Sequence, residues 1–465
     1  MVQETSGILL INPWIYDFTA YNFWSKPLGL LYVASMLREA GYHIDFIDCM
    51  DNCDPELQKE NLLEDCRLPK INEDGSGKFY KEKITKPEIL KQIPRNYSRY
   101  GMPENIFRRK LSNIRRPLAI FVTSIMTYWY PGVFRAIEIV KEFFPNCPVI
   151  LGGIYAKLCY QHALSFSNAD IVIRDFKIST LQTILKYIDN KIKKEIFSFE
   201  KNKCKNCEKH LNDCPYPAWD LYHALDYVCL ITTKGCPFRC SYCASYLINP
   251  VLQFREPEMV AREISYWKEK RGIRRFVFYD DALLLNANKH FIPVMKSLKR
   301  NKLNINFYTP NALHARMITP AVAKQMIENG FKKIWLGFET SDSDLQIRTG
   351  GKIDNRGFVR AVKTLLREGF LRKQINAYIL IGLPGQSFKS MNESIKFVIN
   401  TGVKPYLAKF SPIPGTKIWS QAIREYKWEE PVDPLFHNDA LMPYFSPSIN
   451  PKQYNQLKML IKNNT

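Results

Sequence analysis

No stretch of eighteen consecutive apolar residues occurs in the chain, so the sequence offers no membrane-spanning helix. The N-terminus, MVQETSGILLINPW, has one short apolar run and no basic flank, and reads as a first strand rather than a signal peptide. The expected compartment is the cytoplasm, where thiols stay reduced and clustered cysteines point to metal more often than to disulfides. There is no Gly-rich phosphate loop ending in Lys-Ser or Lys-Thr, no His-Glu-x-x-His and no Gly-x-Ser-x-Gly. Nucleotide-hydrolysing and protease motifs are therefore missing. Acid is scarce: 45 Asp and Glu stand against 66 Lys and Arg, a net charge of +21. Such a balance draws anions such as nucleic acid, phosphorylated substrates or an acidic membrane surface, or it simply reflects solvated lysine-rich faces. No RNP-like aromatic signature accompanies it, so the residues do not select nucleic acid.

What is present is ample apolar material. At 46% hydrophobic and 13% aromatic, 465 residues can fill the cores of two or three domains. Residues 1–190 alternate strand and helix: GILLIN, PLGLLYVASMLREAG, YHIDFID, then LAIFVTS, GVFRAIEIVKEFF, PVILGG, YQHALSF, ADIVIR and ISTLQTILKYID. A polar, charged insertion at 52–116 interrupts the rhythm. Repeated β–α units predict an α/β fold with a Rossmann-like doubly wound parallel sheet, whose ligands sit at the carboxyl ends of the strands. Residues 191–227, with many Lys, Asn, Cys and Pro, read as a linker. A second series over 228–415 has six strands, VCLITT, RRFVFYD, NINFYTP, KKIWLGFE, INAYILIG and YLAKFSP. It predicts a partial (β/α)6 barrel with chemistry at the C-terminal strand ends. Residues 416–465 are expected as a helical extension.

The loop after the first of these strands reads TKGCPFRCSYCAS over 233–245 and places Cys236, Cys240 and Cys243 within eight residues. Thiolates are soft ligands that select zinc or iron–sulfur clusters. A structural zinc site takes four ligands, usually as two knuckles with a gap between them. Three ligands on one tight loop suit a 4Fe–4S cube with one iron left open. A zinc site completed by a distant Cys or His, or unliganded thiols, are the competing readings. A second group, CKNCEKHLNDC, supplies Cys204, Cys207 and Cys214 with His210 between them. It fits either a further metal or a linker with reduced thiols. Cys49, Cys53, Cys66, Cys147, Cys159 and Cys229 are scattered, as small buried hydrophobes are.

CPFRCSYC resembles the signature of the radical S-adenosylmethionine (SAM) superfamily. Further stretches match that superfamily in the same order across about 228 to 415. FYDDALLLN resembles the second-strand motif near the methionine end of SAM, which implies Asp280 and Asp281 as cofactor contacts. FYTPNALHA is similar to the third, with Asn311 near the cofactor. LGFETSD resembles the fourth, with Glu339 at the ribose or amino group. ILIGLPGQS resembles the fifth, with Ile381 and Gly382 beside adenine, and FSPIPGT the sixth. Each stretch alone reads equally well as a cap, an ion pair or a turn; their order behind the cysteines carries the likeness.

The first half resembles the cobalamin-binding domain often fused ahead of such barrels. The resemblance implies a corrin lined near Asn12, Ser124 to Tyr128, and Gly152–Gly153. The chain departs from that pattern at three places. It has no Asp-x-His-x-x-Gly stretch and so offers no lower-ligand histidine, it has RDFKIS where relatives carry a Gly-Glu-Gly-Glu turn, and it has IYAKL after the paired glycines. Together the resemblances imply a radical SAM enzyme of the cobalamin-binding type. Three cysteines would hold a 4Fe–4S cluster that reductively cleaves SAM to methionine and a 5′-deoxyadenosyl radical. A flavodoxin or ferredoxin would supply the electron, and a methyl transfer or radical rearrangement on a small molecule or peptide would follow. Two other readings stay open here: a tRNA methylthiotransferase-like enzyme, whose usual extra C-terminal β-barrel is lacking, and a zinc-stabilised non-catalytic binding protein.

Overall fold

In a computed structural model the described residues are 7–62, 68–192, 211–300 and 304–464. The chain divides into two compact units, Met1–Leu225 and Asp226–Thr465. Among the described residues no helix is long and apolar enough to cross a membrane.

The first unit is built on five parallel strands, β1 Gly7–Asn12, β2 His43–Asp48, β3 Ala119–Val122, β4 Val149–Leu151 and β5 Ile171–Val172. They lie side by side in the order β2-β1-β3-β4-β5. The apolar runs arise because both faces of the sheet are covered. Leu9, Ile11, Ile120 and Val122 enter one core, and Ile8, Leu10, Ala119 and Phe121 enter the other. The strand order reverses between β1 and β3, the switch point at which a doubly wound sheet opens a crevice beyond its strand ends. The 52–116 insertion carries a sheet of its own. Its strands Lys81–Ile84 and Tyr97–Tyr100 form a small antiparallel sheet with Ile15–Asp17.

The linker read over 191–227 needs correction in its described part. Residues 211–225 belong to the first unit. Ala218, Trp219 and Tyr222 are buried, and the Ala218 amide donates to the Leu31 carbonyl at 3.1 Å. Large apolar side chains hidden among Lys, Asn and Cys anchor a segment whose average composition is linker-like. Residues 193–210, Cys204, Cys207 and His210 among them, lie outside the described residues.

The second unit carries six parallel strands: β6 Val228–Leu230, β7 Arg275–Phe278, β8 Asn306–Tyr308, β9 Phe331–Glu339, β10 Ile375–Ile381 and β11 Lys404–Lys409. They run in sequential order from β6 to β11, with a short strand, Leu313–His314, added against β9. Right-handed β–α crossovers give this order directly, and it is an open (β/α)6 barrel. The residues after 415 do not stand apart from it: helix Pro451–Lys462 packs on helix Phe388–Asn400. Pair Arg255–Glu263 is fully enclosed, at 2.5 Å.

Candidate active site

The candidate site residues stand at or just after the C-terminal ends of barrel strands β6 to β9, where a (β/α) barrel collects its chemistry. The cysteine loop follows β6. Gly235, at φ +86°, makes the entry turn, and a Cβ there would meet the Val251 carbonyl at 2.6 Å. The loop is fixed from two sides: the Ser241 amide donates to the Thr349 carbonyl, and the Ser241 carbonyl accepts from the Ile418 amide, both at 3.1 Å. Gly350 lets the backbone close in, since a Cβ there would lie 3.2 Å from the Cα of Cys240.

The three thiols are free. Burial, then Asp281 and the two other cysteines, pushes the Cys236 thiol up to about 11. Burial likewise raises Cys240, although Lys352 works against it. The Cys236 and Cys240 sulfurs thus hold their protons more tightly than a free thiol does, and a bound cation is what would keep them as thiolates. The Ser245 amide already points at the Cys243 sulfur, at 3.5 Å, the kind of donor that tunes a thiolate-held metal group. Among the described residues no three His, Cys, Asp or Glu side chains converge on a single ion. A cubane asks for no such convergence, because each thiolate binds its own iron. The donor set thus fits a 4Fe–4S cluster.

Asp280 and Asp281 part company. Asp280 turns inward, and its Oδ1 accepts from the amides and hydroxyls of Thr232 and Thr233 at 2.5–3.1 Å. Burial pushes its carboxyl up to about 6 against those donors. Its Oδ2 is buried without a partner among the described residues, and so is the Thr309 hydroxyl at the end of β8. Buried polar atoms are rarely left this way. Two orphans at the mouths of adjacent strands are what a ligand with amino and hydroxyl groups, such as SAM, would satisfy. Asp281 faces the cysteine loop, accepting from the Ser245 hydroxyl at 2.9 Å. Asn311 donates to the carbonyls of Tyr279 at 2.9 Å and Asp280 at 3.2 Å, so it splints the end of β7.

Glu339 ends β9 in a left-handed conformation, φ +72°. Backbone of this kind costs a non-glycine residue roughly 1–3 kcal/mol and gathers at functional sites. It follows an irregularity in the β9–β10 register between Gly337 and Glu339. The carboxylate meets Lys352 Nζ at 3.1 Å, both side chains nearly enclosed. Gly337 makes room, since a Cβ there would lie 2.5 Å from that Nζ. Burial alone would lower Lys352, but Glu339, then Cys240, hold its ammonium above the usual range. Tyr242, between the second and third cysteines, is pushed well up by burial and then by Glu339, Cys240 and Cys243. His314 stacks on Phe238 of the loop at 4.3 Å. Burial, then Lys352 and Arg316, push its imidazole down to about 3, so it stays neutral.

The sequence reading had not singled out Lys352, Tyr242 or His314. Tyr242 had a signal, an aromatic residue framed by two cysteines; Lys352, in a loop thirteen residues past its partner, had none. Ile381 and Gly382 sit deeper than expected. Ile381 is wholly buried, and Gly382, at φ +80°, is capped by Met442, whose Sδ would lie 2.4 Å from an added Cβ. Leu380 of β10 belongs to the apolar cluster on which Tyr242 packs.

In the first unit, Ser124, Gly152 and Gly153 do come together. The Ser124 hydroxyl donates to the Gly152 carbonyl at 2.9 Å, and its carbonyl accepts from Ile154 at 2.7 Å. Gly153, at φ +95°, leaves no space for a side chain, since a Cβ would sit 2.3 Å from the Ser124 oxygen. Gly152 faces open space, with nothing within 4 Å of an added Cβ. Asn12 is not part of this group. Its amide donates to Asp48 at 2.6 Å, within a buried cluster completed by Lys26, Asp51 and the Tyr222 hydroxyl.

Residues 230–398 match the family model of the radical SAM superfamily. An uncharacterised methyltransferase of Pyrococcus horikoshii is 27% identical over 250 residues, 49% of this chain and 53% of that protein. The chain thus spans about half the length of that relative. The radical SAM methyltransferase TsrM from Kitasatospora setae superposes with a TM-score of 0.64 at 12% identity, covering 91% of this chain and 76% of its own. The cobalamin-dependent SAM radical enzyme OxsB superposes at 0.57 and 12% identity, over 99% of this chain and 61% of its own. Both likenesses are of fold, and both run through the two units. With its three-cysteine loop at the mouth of an open (β/α)6 barrel, the Asp226–Thr465 unit carries a radical SAM domain over residues 230–398.

Proposed function

We propose that this protein is a cobalamin-dependent radical SAM methyltransferase acting on a small molecule or peptide. The observation that carries the reading is the pairing, in one chain, of the cysteine loop at the barrel mouth with a sheet of order 2-1-3-4-5 ahead of it. The fold shared with TsrM and OxsB, and a relative named as a methyltransferase, support it.

Cys236, Cys240 and Cys243 would hold the cluster. A 4Fe–4S cluster with SAM supplies a one-electron route to a carbon-centred radical, and cobalamin supplies a methyl carrier. The chain's own residues supply binding and exclusion of water. Asp280 Oδ2 and the Thr309 hydroxyl, both buried without a partner among the described residues, would bind the polar end of SAM. Tyr242, packed on the apolar cluster that contains Leu380, would wall the apolar side. Lys352 holds the Glu339 carboxylate in place at 3.1 Å, and its ammonium would offset the negative charge gathered on the sulfurs. The electron donor in this reading is a low-potential protein such as a flavodoxin or ferredoxin.

Glu339→Gln keeps the shape and removes the charge. We expect SAM affinity to fall by about 1–3 kcal/mol, the worth of a charge-assisted hydrogen bond, with the iron content unchanged. Calorimetry that finds equal affinities would return Glu339 to a purely structural pairing with Lys352. The function itself is tested by anaerobic turnover with methyl-deuterated SAM in a metabolite extract, followed by mass spectrometry. A product gaining one trideuteromethyl group is expected. SAM cleavage with no labelled acceptor, in extracts that contain the native substrate pool, would replace methyl transfer by a radical rearrangement.

A further inference from the structure

The left-handed backbone at Glu339, φ +72°, belongs to a turn that needs outside support. The Thr340 amide donates to the Phe338 carbonyl at 2.9 Å and closes a three-residue turn about Glu339. With φ positive at its centre, this is the rare, strained form of such a turn, and it persists only where the surroundings over-determine it. The two residues after Glu339 are bonded from three directions. The Thr340 carbonyl accepts from Gln346 Nε2 at 2.7 Å, and the Ser341 carbonyl accepts from Asn355 Nδ2 at 2.9 Å. The third anchor is Ser394, on helix Phe388–Asn400 beyond the next strand. Its Oγ accepts from the Ser341 amide at 2.9 Å and lies 3.2 and 3.1 Å from the hydroxyls of Thr340 and Ser341.

Nothing in its own helix calls for a serine at 394. The residue is fully buried, its buried helix neighbours Met391, Ile395 and Val398 are apolar, and a hydroxyl inside a helix is at best neutral for it. Its one proton goes to the Ser390 carbonyl at 2.8 Å. Its two lone pairs are left for the Ser341 amide and one of the two neighbouring hydroxyls. Both of its accepting positions are therefore spent on the exit of β9. We propose that Ser394 is a positioning residue for SAM binding: its hydroxyl holds the strained turn that sets where the Glu339 carboxylate stands. It acts through the backbone of that turn rather than by touching the cofactor. The proposal rests on the reading of Glu339 as a SAM contact given above.

The test is anaerobic calorimetry of SAM binding by the reconstituted full chain. Ser394→Ala leaves the Ser341 amide without its acceptor in closed space. SAM affinity should fall by about three- to thirtyfold, within the coupling that contacting residues show, with iron content unchanged. Ser394→Cys fills the same space with a much weaker acceptor; it should lose affinity in the same direction, and it serves where the alanine variant folds poorly. Two measurements separate positioning from a general loss of stability. In the Glu339→Gln background, Ser394→Ala should change SAM affinity by less than about twofold, since the hydroxyl acts through that carboxylate. Val398→Ala, which hollows the same helix, should bind SAM within about twofold of wild type. Equal SAM affinity in wild type and both Ser394 variants overturns the proposal. So does a Ser394→Ala loss that is as large without the Glu339 carboxylate, or a matching loss in Val398→Ala. If Glu339→Gln binds SAM as wild type does, the reading of Glu339 as a SAM contact falls and this inference falls with it. A Glu339→Gln loss beside unaffected Ser394 variants sinks this inference alone.

Discussion

Reconstituted anaerobically with iron and sulfide, the protein will turn brown, and replacing Cys236, Cys240 and Cys243 together by Ala will remove about four irons per chain, one cubane's worth. SAM cleavage to 5′-deoxyadenosine will disappear with them. The effect should be all or none, because the loop is built around its occupant. The raised Cys236 and Cys240 thiols show that the protein alone does not stabilise the thiolates; the iron charge must do so. With one cysteine gone, two sulfurs remain for a group that needs three. Cys229→Ala is the control: that thiol is fully buried in β6 and acts as a small hydrophobe, so iron content and colour should persist. A triple variant that still forms 5′-deoxyadenosine would end the assignment of the loop. Plasma analysis finding zinc and no iron in protein purified without air would revive the zinc-stabilised binding protein.

Much of this architecture is written in the sequence because burial is periodic. Apolar runs such as GILLIN and INAYILI are continuous since both faces of each parallel strand are covered. The polar residues that end the barrel strands mark the mouth for the same reason: a buried strand can afford Asp280 or Glu339 only where it emerges. Pairing is not periodic. Nothing in the order of residues says that Glu339 finds Lys352, because the contact depends on an irregular β9 register and on the missing side chain of Gly337. The partner of Asn12 is hidden for a related reason. Asn12 ends β1, as a crevice residue should, yet Asp48 at the end of the adjacent strand is nearer than the crevice and takes its amide. The surroundings of Ile381 depend on the tertiary fold, since residues some sixty positions later, around Met442, close over Gly382. Trp219 and Tyr222 were masked by the polar residues around them, and two large rings outweigh the mean composition of a segment.

Cobalamin retention will depend on one glycine of the first unit. Full-length protein incubated with hydroxocobalamin and desalted should keep the corrin spectrum, and Gly152→Phe should lose it. The sheet order places the ligand crevice beyond the ends of β1 and β3, and the Ser124 loop after β3 is bonded to the glycine pair after β4. Gly153 is closed to substitution by its φ of +95° and by the Ser124 oxygen at 2.3 Å, so a change there would test folding rather than binding. Gly152 differs: an added Cβ meets nothing within 4 Å, so a phenyl ring can stand out without disturbing the sheet. It would occupy the space that a flat ligand against this loop requires. With no histidine ligand offered by the sequence, holding the corrin relies on packed area and on hydrogen bonds to its edge amides, and filling that area should be enough to release it. Unfolding midpoints that match between wild type and Gly152→Phe will show that the fold is intact. If wild type retains no more corrin than Gly152→Phe, the sheet is not a cobalamin site and methyl transfer through cobalamin falls, while the cluster and SAM cleavage in the barrel stand untouched.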